Sequence, residues 1–417
     1  MTSPCFLKAM KATGITAEYN PLHCGHEYHI RKARELSGCD VIVAAMSGDY
    51  VQRGEPAVTD KWTRTAMALD AGADLVLEIP VLFSLGNASA YASAAVGILE
   101  AAGCGNIAFG SESGDAAVLK TVADVLRSEQ ELIKAGIAAR ASEGMNYPSA
   151  RAAAYEELRT SEHGADSDAV VRELAVLGRP NDILAVEYLM NMERSEPLVI
   201  KREGGGYHDL SHEGGRFCSA SAVREALKNG EDISGLVPEQ VSERLSSSAL
   251  TFADDWTGII RYALRSADST LIDDCPSGGE GLGSLLRAAS LSSDTHDGMI
   301  MAAKSKRYTY TRLSRLCMQT LLGITRSRYP YERPLYMRVL GFSGRGREYL
   351  SEMKRDSGFG LPVITNINRE TEKLGDDAMD MLGLDVHAAD IYNLVSGRDT
   401  AAWSDHVKGP VIKEPQN

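Results

Sequence analysis

The sequence predicts an α/β fold: a Rossmann-like, doubly wound parallel sheet in the first half of the chain, followed by a mainly α-helical C-terminal domain. Three observations carry this reading. Short β-branched or apolar runs alternate with stretches of helical spacing up to about residue 230. The helical stretches open on capping residues and close on glycines. From about Pro238 onward the spacing is helical, broken by a Gly/Ser/Asp-rich stretch, DDCPSGGEGLGS, that reads as a loop.

In order, ATGITAEY is a strand, HEYHIRKARELSG a helix stopping at Gly38, and DVIVAAMSG a second strand, together a βαβ unit. DKWTRTAMALDAG is a helix that Asp60 can cap and Gly72 can end. The strand ADLVLEIP, a helix from about Ala88 to Ala102 and the strand NIAFGSE follow. After a mostly helical segment, PLVIKRE completes about five strands, and the helix SAVREALKNG closes the unit near Gly230. Alternation of this kind implies ligands at the carboxyl ends of parallel strands. The expected domains are residues 10–232, binding a nucleotide, and 233–417, mainly helical.

Composition bounds the function. The 417 residues are 44% hydrophobic and 24% charged, ordinary for a soluble globular protein, and no apolar run approaches the roughly 18 residues of a membrane span. The opening MTSPCFLKAM does not read as a secretory signal, so a cytoplasmic location is expected. Seven cysteines, scattered and never spaced CxxC, argue against a disulfide framework and a zinc ribbon. The net charge of -13 hides a basic block: residues 301–355 hold thirteen Lys and Arg against three Glu. A basic block in an acidic chain points to a nucleic-acid partner.

Two segments can do chemistry. In GITAEYNPLHCGHEYH a strand ends near Glu18, Asn20 and Pro21 force a turn, and a helix begins near His26. Its unpaired N–H groups, the helix dipole and the imidazoles of His23 and His26 form an anion site suited to polyphosphate. Zinc binding fits less well, since no carboxylate or cysteine stands at complementary spacing. A purely capping role stays open, and for His29 a structural role is the simpler reading. In CSASAVREAL, Ser219 and Ser221 precede a helix whose first turn carries Arg224, again a phosphate-type helix start. In the basic half, Tyr308 and Tyr310 interleave with Lys304, Lys306, Arg307, Arg312 and Arg315, a pattern suited to RNA, with helix packing as the alternative for each tyrosine.

HxGH followed by a Ser-rich turn and Arg resembles the nucleotidylyltransferase superfamily. EYNPLHCGHEYH, MSGDYVQRGEPA, DKWTRT, FGSE, RPNDIL, IKREGGGYHD, SASAVR and KRYTYTRLSRL occur in the order seen in the tRNA(Met) cytidine acetate ligase family, from about Met10 onward. The resemblance implies a nucleotidylyltransferase-type fold and an enzyme that activates acetate with ATP, Mg2+ assisting, and acetylates the wobble cytidine of elongator tRNA(Met). It implies ATP contacts at Thr16, Ala17, Glu18, Tyr19, Asn20, Pro21, Leu22, His23, Cys24, Gly25, His26, Glu27, Tyr28 and His29, and at Gly110, Asn181 and Arg202. His23, His26, Ser221 and Arg224 would stabilise charge during catalysis, while Lys304, Lys306, Arg307, Tyr308, Tyr310, Arg312 and Arg315 would hold tRNA. Departures from the family pattern are Leu22 and Cys24, where many members have Phe and Asn, and Asp49, where Asn is frequent. Asp49 would repel acetate if it faced the pocket.

No resident metal, membrane or protein partner is implied. Arg53, Lys61 and Arg64 are candidates for acetate, with salt bridges in the sheet as the alternative. An adenylyltransferase for a small phosphorylated metabolite, or an RNA-binding protein with a vestigial nucleotide fold, would also account for parts of the pattern.

Overall fold

A computed structural model of the chain describes residues 9–164, 167–202, 218–355, 358–398 and 404–414. The GGGYH portion of one quoted motif, residues 204–208, lies outside them. The five expected strands are β1 (Ala12–Ala17), β2 (Val41–Ser47), β5 (Leu75–Ile79), β6 (Asn106–Ser111) and β7 (Glu196–Lys201), all parallel, in the order β5-β2-β1-β6-β7. β1 lies at the centre because its apolar run is covered on both faces, and Ile15 is wholly buried.

Helix α1 (Cys24–Ser37) crosses from β1 to β2 and ends on Gly38 in the left-handed conformation. Helix α2 (Lys61–Asp70) is capped by Asp60, whose Oδ1 accepts from the N–H groups of Trp62 and Thr63, both at 3.0 Å. Two apolar cores flank the sheet, one holding Leu99, Phe109, Leu313 and Tyr336, the other Ile15, Ile30, Met46 and Leu340.

The second half agrees with the sequence reading in its helices and adds strands that the reading did not foresee. It is mainly helical, yet it returns three strands to the same sheet: β8 (Met337–Ser343), antiparallel to β5, with β9 (Val363–Ile364) and β10 (Val411–Lys413) parallel along the far side of β8. Short apolar runs such as MRVLGF cannot be told from helix by period, and this strand is specified by a partner about 260 residues earlier. A small antiparallel pair, β3 (Tyr50–Val51) and β4 (Glu55–Pro56), projects after β2. At its tip Gly54 has φ +82°, and a Cβ there would meet Arg315 N at 2.2 Å. Only glycine fits, because the helix Tyr310–Leu321 packs directly on the turn.

Candidate active site

The carboxyl end of β1, the start of α1, the β3–β4 turn and the start of the helix Ala220–Asn229 surround one cavity of about 280 Å³. The sequence places the start of α1 near His26; it begins at Cys24, with His23 as N-cap. Two hydrogen bonds fix both imidazoles. His23 Nδ1 accepts from the Gly25 N–H at 3.1 Å, and His26 Nδ1 accepts from the His23 N–H at 3.3 Å. An Nδ1 that accepts carries no proton, so each neutral ring bears its proton on Nε2. The rings stack at 3.7 Å between centroids, and Tyr19 closes edge-on against His26 at 5.1 Å.

Burial keeps these rings neutral. It lowers His23 to about 3, with the Arg202 charge adding to the effect, and holds His26 well below the ordinary range, helped by His23, Arg202 and His29. His29, one turn along α1, is lowered to about 4 by burial and then Arg202, and its Nε2 has no hydrogen-bond partner among the described residues.

The two anticipated helix starts meet. Arg224 Nη1 donates to the Asn20 carbonyl at 2.8 Å, and Nη2 lies 3.4 Å from Ser221 Oγ and 3.5 Å from Glu55. The chain thus clamps two segments about 200 residues apart around one space. Ser219 caps its helix by accepting from the Ala222 N–H.

Of the residues read from the sequence, Thr16, Ala17, Glu18, Tyr19, Asn20, His23, Gly25, His26, Tyr28, His29, Gly110, Asn181, Arg202, Ser221 and Arg224 line the cavity. Pro21, Leu22, Cys24 and Glu27 do not. Leu22 is fully buried in the core behind α1, and Glu27 is exposed. Helical geometry turns Cys24 and Glu27 away from the face of His26 and His29. Cys24 instead meets the next loop, its N–H donating to the Leu236 carbonyl at 3.1 Å and its thiol to Gly235 at 3.5 Å. Asn181 Nδ2 donates to Glu112 at 2.8 Å, which fixes its carboxamide. A Cβ at Gly110 would lie 3.2 Å from the Arg202 stem, so this glycine lets Arg202 pass close over β6.

Among the acetate candidates, Arg53 lines the cavity, 3.5 Å from Ser221 Oγ. Lys61 and Arg64 do not. Lys61 is buried between Glu78 at 2.9 Å and Asp405 at 2.7 Å. Arg64 is consumed by main-chain carbonyls of Thr59, Glu18, Ser47 and Gly48. Asp49 faces Lys61, accepting its N–H at 2.7 Å, and does not line the cavity. Burial pushes its carboxyl up to about 7.

Tyr91 and Tyr188 were not anticipated. They reach the cavity from the helices Ala88–Ala101 and Pro180–Asn191, and Tyr91 Oη donates to the Ala17 carbonyl at 3.2 Å. Their only sequence signal is a polar-tipped aromatic within an apolar helix face.

The basic block separates into layers. Lys304 and Lys306 are exposed. Arg307 is half-exposed and 3.1 Å from Glu280. The Arg307 and Arg312 guanidiniums both lie against the Tyr308 ring, 5.7 and 5.4 Å from its centroid. Tyr310 packs against the core, and Arg312 donates to the carbonyls of Ser277 and Gly278. Arg315 is buried, and its Nη1 donates to the Gln52 carbonyl at 3.3 Å. Spacing alone cannot distinguish a basic stripe facing water from one gripping its own loops.

Comparison with known proteins gives the family. The family model for the HIGH Nucleotidyl Transferase matches residues 10–405. The tRNA(Met) cytidine acetate ligase of Clostridium perfringens is 34% identical over 413 residues, covering 97% of this chain and 100% of that protein. The Clostridium kluyveri protein of the same name is 36% identical over 424 residues, covering 97% and 99%. Crystal structures of Thermotoga maritima TmcAL superpose with TM-scores of 0.89 for the apo form, at 30% identity, and 0.86 for the form bound with alpha-thio ATP, at 29%. Each covers 97% of this chain and 100% of its own. With its stacked histidines, its clamped helix starts and this likeness along nearly its whole length, the chain belongs to the tRNA(Met) cytidine acetate ligase family of HIGH nucleotidyl transferases.

Proposed function

We propose that this protein is a ligase that joins acetate to the N4 amine of the wobble cytidine of elongator tRNA(Met), by way of acetyl-adenylate, with release of AMP and pyrophosphate. The observation that carries this reading is the single cavity lined by His23, His26, Arg202, Ser221 and Arg224, where two helix starts converge on one anion-binding space. ATP binding is further supported by the Thermotoga maritima relative bound with alpha-thio ATP.

Acetate is a poor acyl donor because its carboxylate lacks a leaving group. In the first step its oxygen attacks the ATP α-phosphate and the bond to pyrophosphate breaks. The Nε2–H groups of His23 and His26 donate to phosphate oxygens as their charge grows, and Arg202 and Arg224 counter that charge. Arg53, beside Ser221, is the cation best placed for the acetate carboxylate. Mg2+ would accompany ATP and offset charge on the leaving pyrophosphate. Among the described residues no three His, Cys, Asp or Glu side chains form a metal cage.

In the second step the cytosine amine attacks the acetyl carbonyl and AMP leaves. An anticodon-loop base is already single-stranded, which makes its extrusion into the cavity inexpensive. Lys304 and Lys306, both exposed, and the half-exposed Arg307 are the cations that would hold the tRNA backbone. The test is incubation with ATP, labelled acetate and bulk tRNA, followed by nucleoside analysis. Label in N4-acetylcytidine of tRNA(Met) is expected; label absent from tRNA, with ATP unconsumed, would overturn the reading.

A further inference from the structure

The transfer step needs a group to take a proton from a weakly nucleophilic aromatic amine. Most polar groups lining the cavity cannot. The Nδ1 atoms of His23 and His26 accept backbone N–H groups and their Nε2 atoms are protonated. Arg53, Arg202 and Arg224 are cations at all working pH values. His29 sits a turn farther along α1, away from the helix start where phosphates would gather.

Glu18 differs. It is the one carboxylate lining the cavity among the described residues, at the carboxyl end of the central strand. Its Oε1 accepts the Gln52 N–H at 2.7 Å, which pins the side chain and uses one oxygen only. Its own carbonyl accepts from Arg64 at 2.7 Å, so the backbone is fixed as well. We propose that Glu18 is the proton acceptor for the cytosine amine in acetyl transfer, an assignment that rests on the ligase reading above. As the nitrogen bonds to the acetyl carbon, the carbon–oxygen bond to AMP breaks, the electron pair leaves with the AMP phosphate, and the amine proton passes to the Glu18 carboxylate. Solvent takes that proton after the products leave.

The charged and titratable groups facing Glu18 are Arg53 and Glu55 from the β3–β4 turn, Arg224, Arg64, Tyr91 and Tyr188. Burial raises its carboxyl above the ordinary range, the Gln52 N–H, Arg53 and Arg224 draw it back, and Glu55 adds to the rise. A base shifted upward in this way is stronger than an exposed carboxylate.

The experiment uses the full chain with Glu18→Gln, which can keep the Gln52 bond, and Glu18→Asp, which keeps the acid. Two readouts are taken: acetate-dependent exchange of labelled pyrophosphate into ATP without tRNA, and single-turnover acetyl transfer to tRNA(Met). Glu18→Gln is expected to lower the ratio of transfer to exchange by about 100-fold or more and to abolish the rise of transfer with pH. Glu18→Asp is expected to restore that rise at a reduced rate. Equal loss of both readouts in Glu18→Gln, or transfer that keeps the wild-type pH rise, overturns the proposal. A wild-type chain without acetate-dependent exchange overturns the ligase reading itself, a result separable from either.

Discussion

His23 and His26 illustrate how much a single hydrogen bond decides. A histidine pair beside phosphate is often pictured as cationic, but here each Nδ1 is occupied by a backbone N–H and burial disfavours the charge. What the cavity receives is two neutral Nε2–H donors. The HxGH spacing made the pair legible in the sequence. Its tautomer was not, since that depends on which backbone N–H groups the helix start leaves unpaired. His26→Ala removes one of these Nε2–H donors and the acceptor for the His23 N–H together. Acetate-dependent ATP consumption is expected to fall by about 10²–10³-fold, with tRNA affinity in a filter assay retained. Turnover near the wild-type level would remove His26 from the phosphate site.

At the scale of elements, the β3–β4 turn links the two halves of the chain. Ser314 Oγ donates to the Gly54 carbonyl at 2.7 Å and Arg315 to that of Gln52, so the helix Tyr310–Leu321 buttresses the turn carrying Arg53 into the cavity. Arg315 therefore acts from inside, while Lys306 and Arg307 stand outside on the preceding loop. Replacing Lys306 and Arg307 with Glu is expected to weaken tRNA binding and lower the slope of log affinity against log salt by about 2, with acetate-dependent pyrophosphate exchange spared. An unchanged slope would place the RNA elsewhere. The five parallel strands were legible because each is a local apolar run set among stretches of helical spacing. β8, β9 and β10 were not, because their strand character comes from a sheet edge built far earlier in the chain.

Across the whole molecule, the element that closes the structure is a buried ionic cluster. Asp405, near the C-terminal end, accepts from Lys61 at 2.7 Å and Arg338 at 2.6 Å, and Glu78 pairs with the same two cations at 2.9 and 3.2 Å. Residues of α2, β5, β8 and the C-terminal segment thus share one set of charges, and none of these four side chains is more than 4% exposed. The sequence left salt bridges in the sheet open for Lys61 but could not name the partners, since Lys61 and Asp405 stand 344 residues apart. Removing one carboxylate would leave two buried cations facing Glu78, with Asp49 more distant at 3.9 Å from Lys61. Asp405→Asn is expected to cost about 3–5 kcal/mol at pH 7 in urea denaturation. Burial raises the Asp405 carboxyl, but Arg338 and then Lys61 outweigh it, so the folded value lies below the ordinary one. Its contribution is therefore complete above the unfolded value of about 3.9 and is lost as pH falls through the lower folded value. The gap between wild type and variant should persist from pH 8 down to pH 5, shifting modestly where Asp49 titrates, and close only under strong acid. A gap that closes already near neutrality would mean that the Asp405 charge does not carry the stabilisation; Asp49 cannot supply it, because burial has lifted its carboxyl to about 7 and it favours the fold only while protonated.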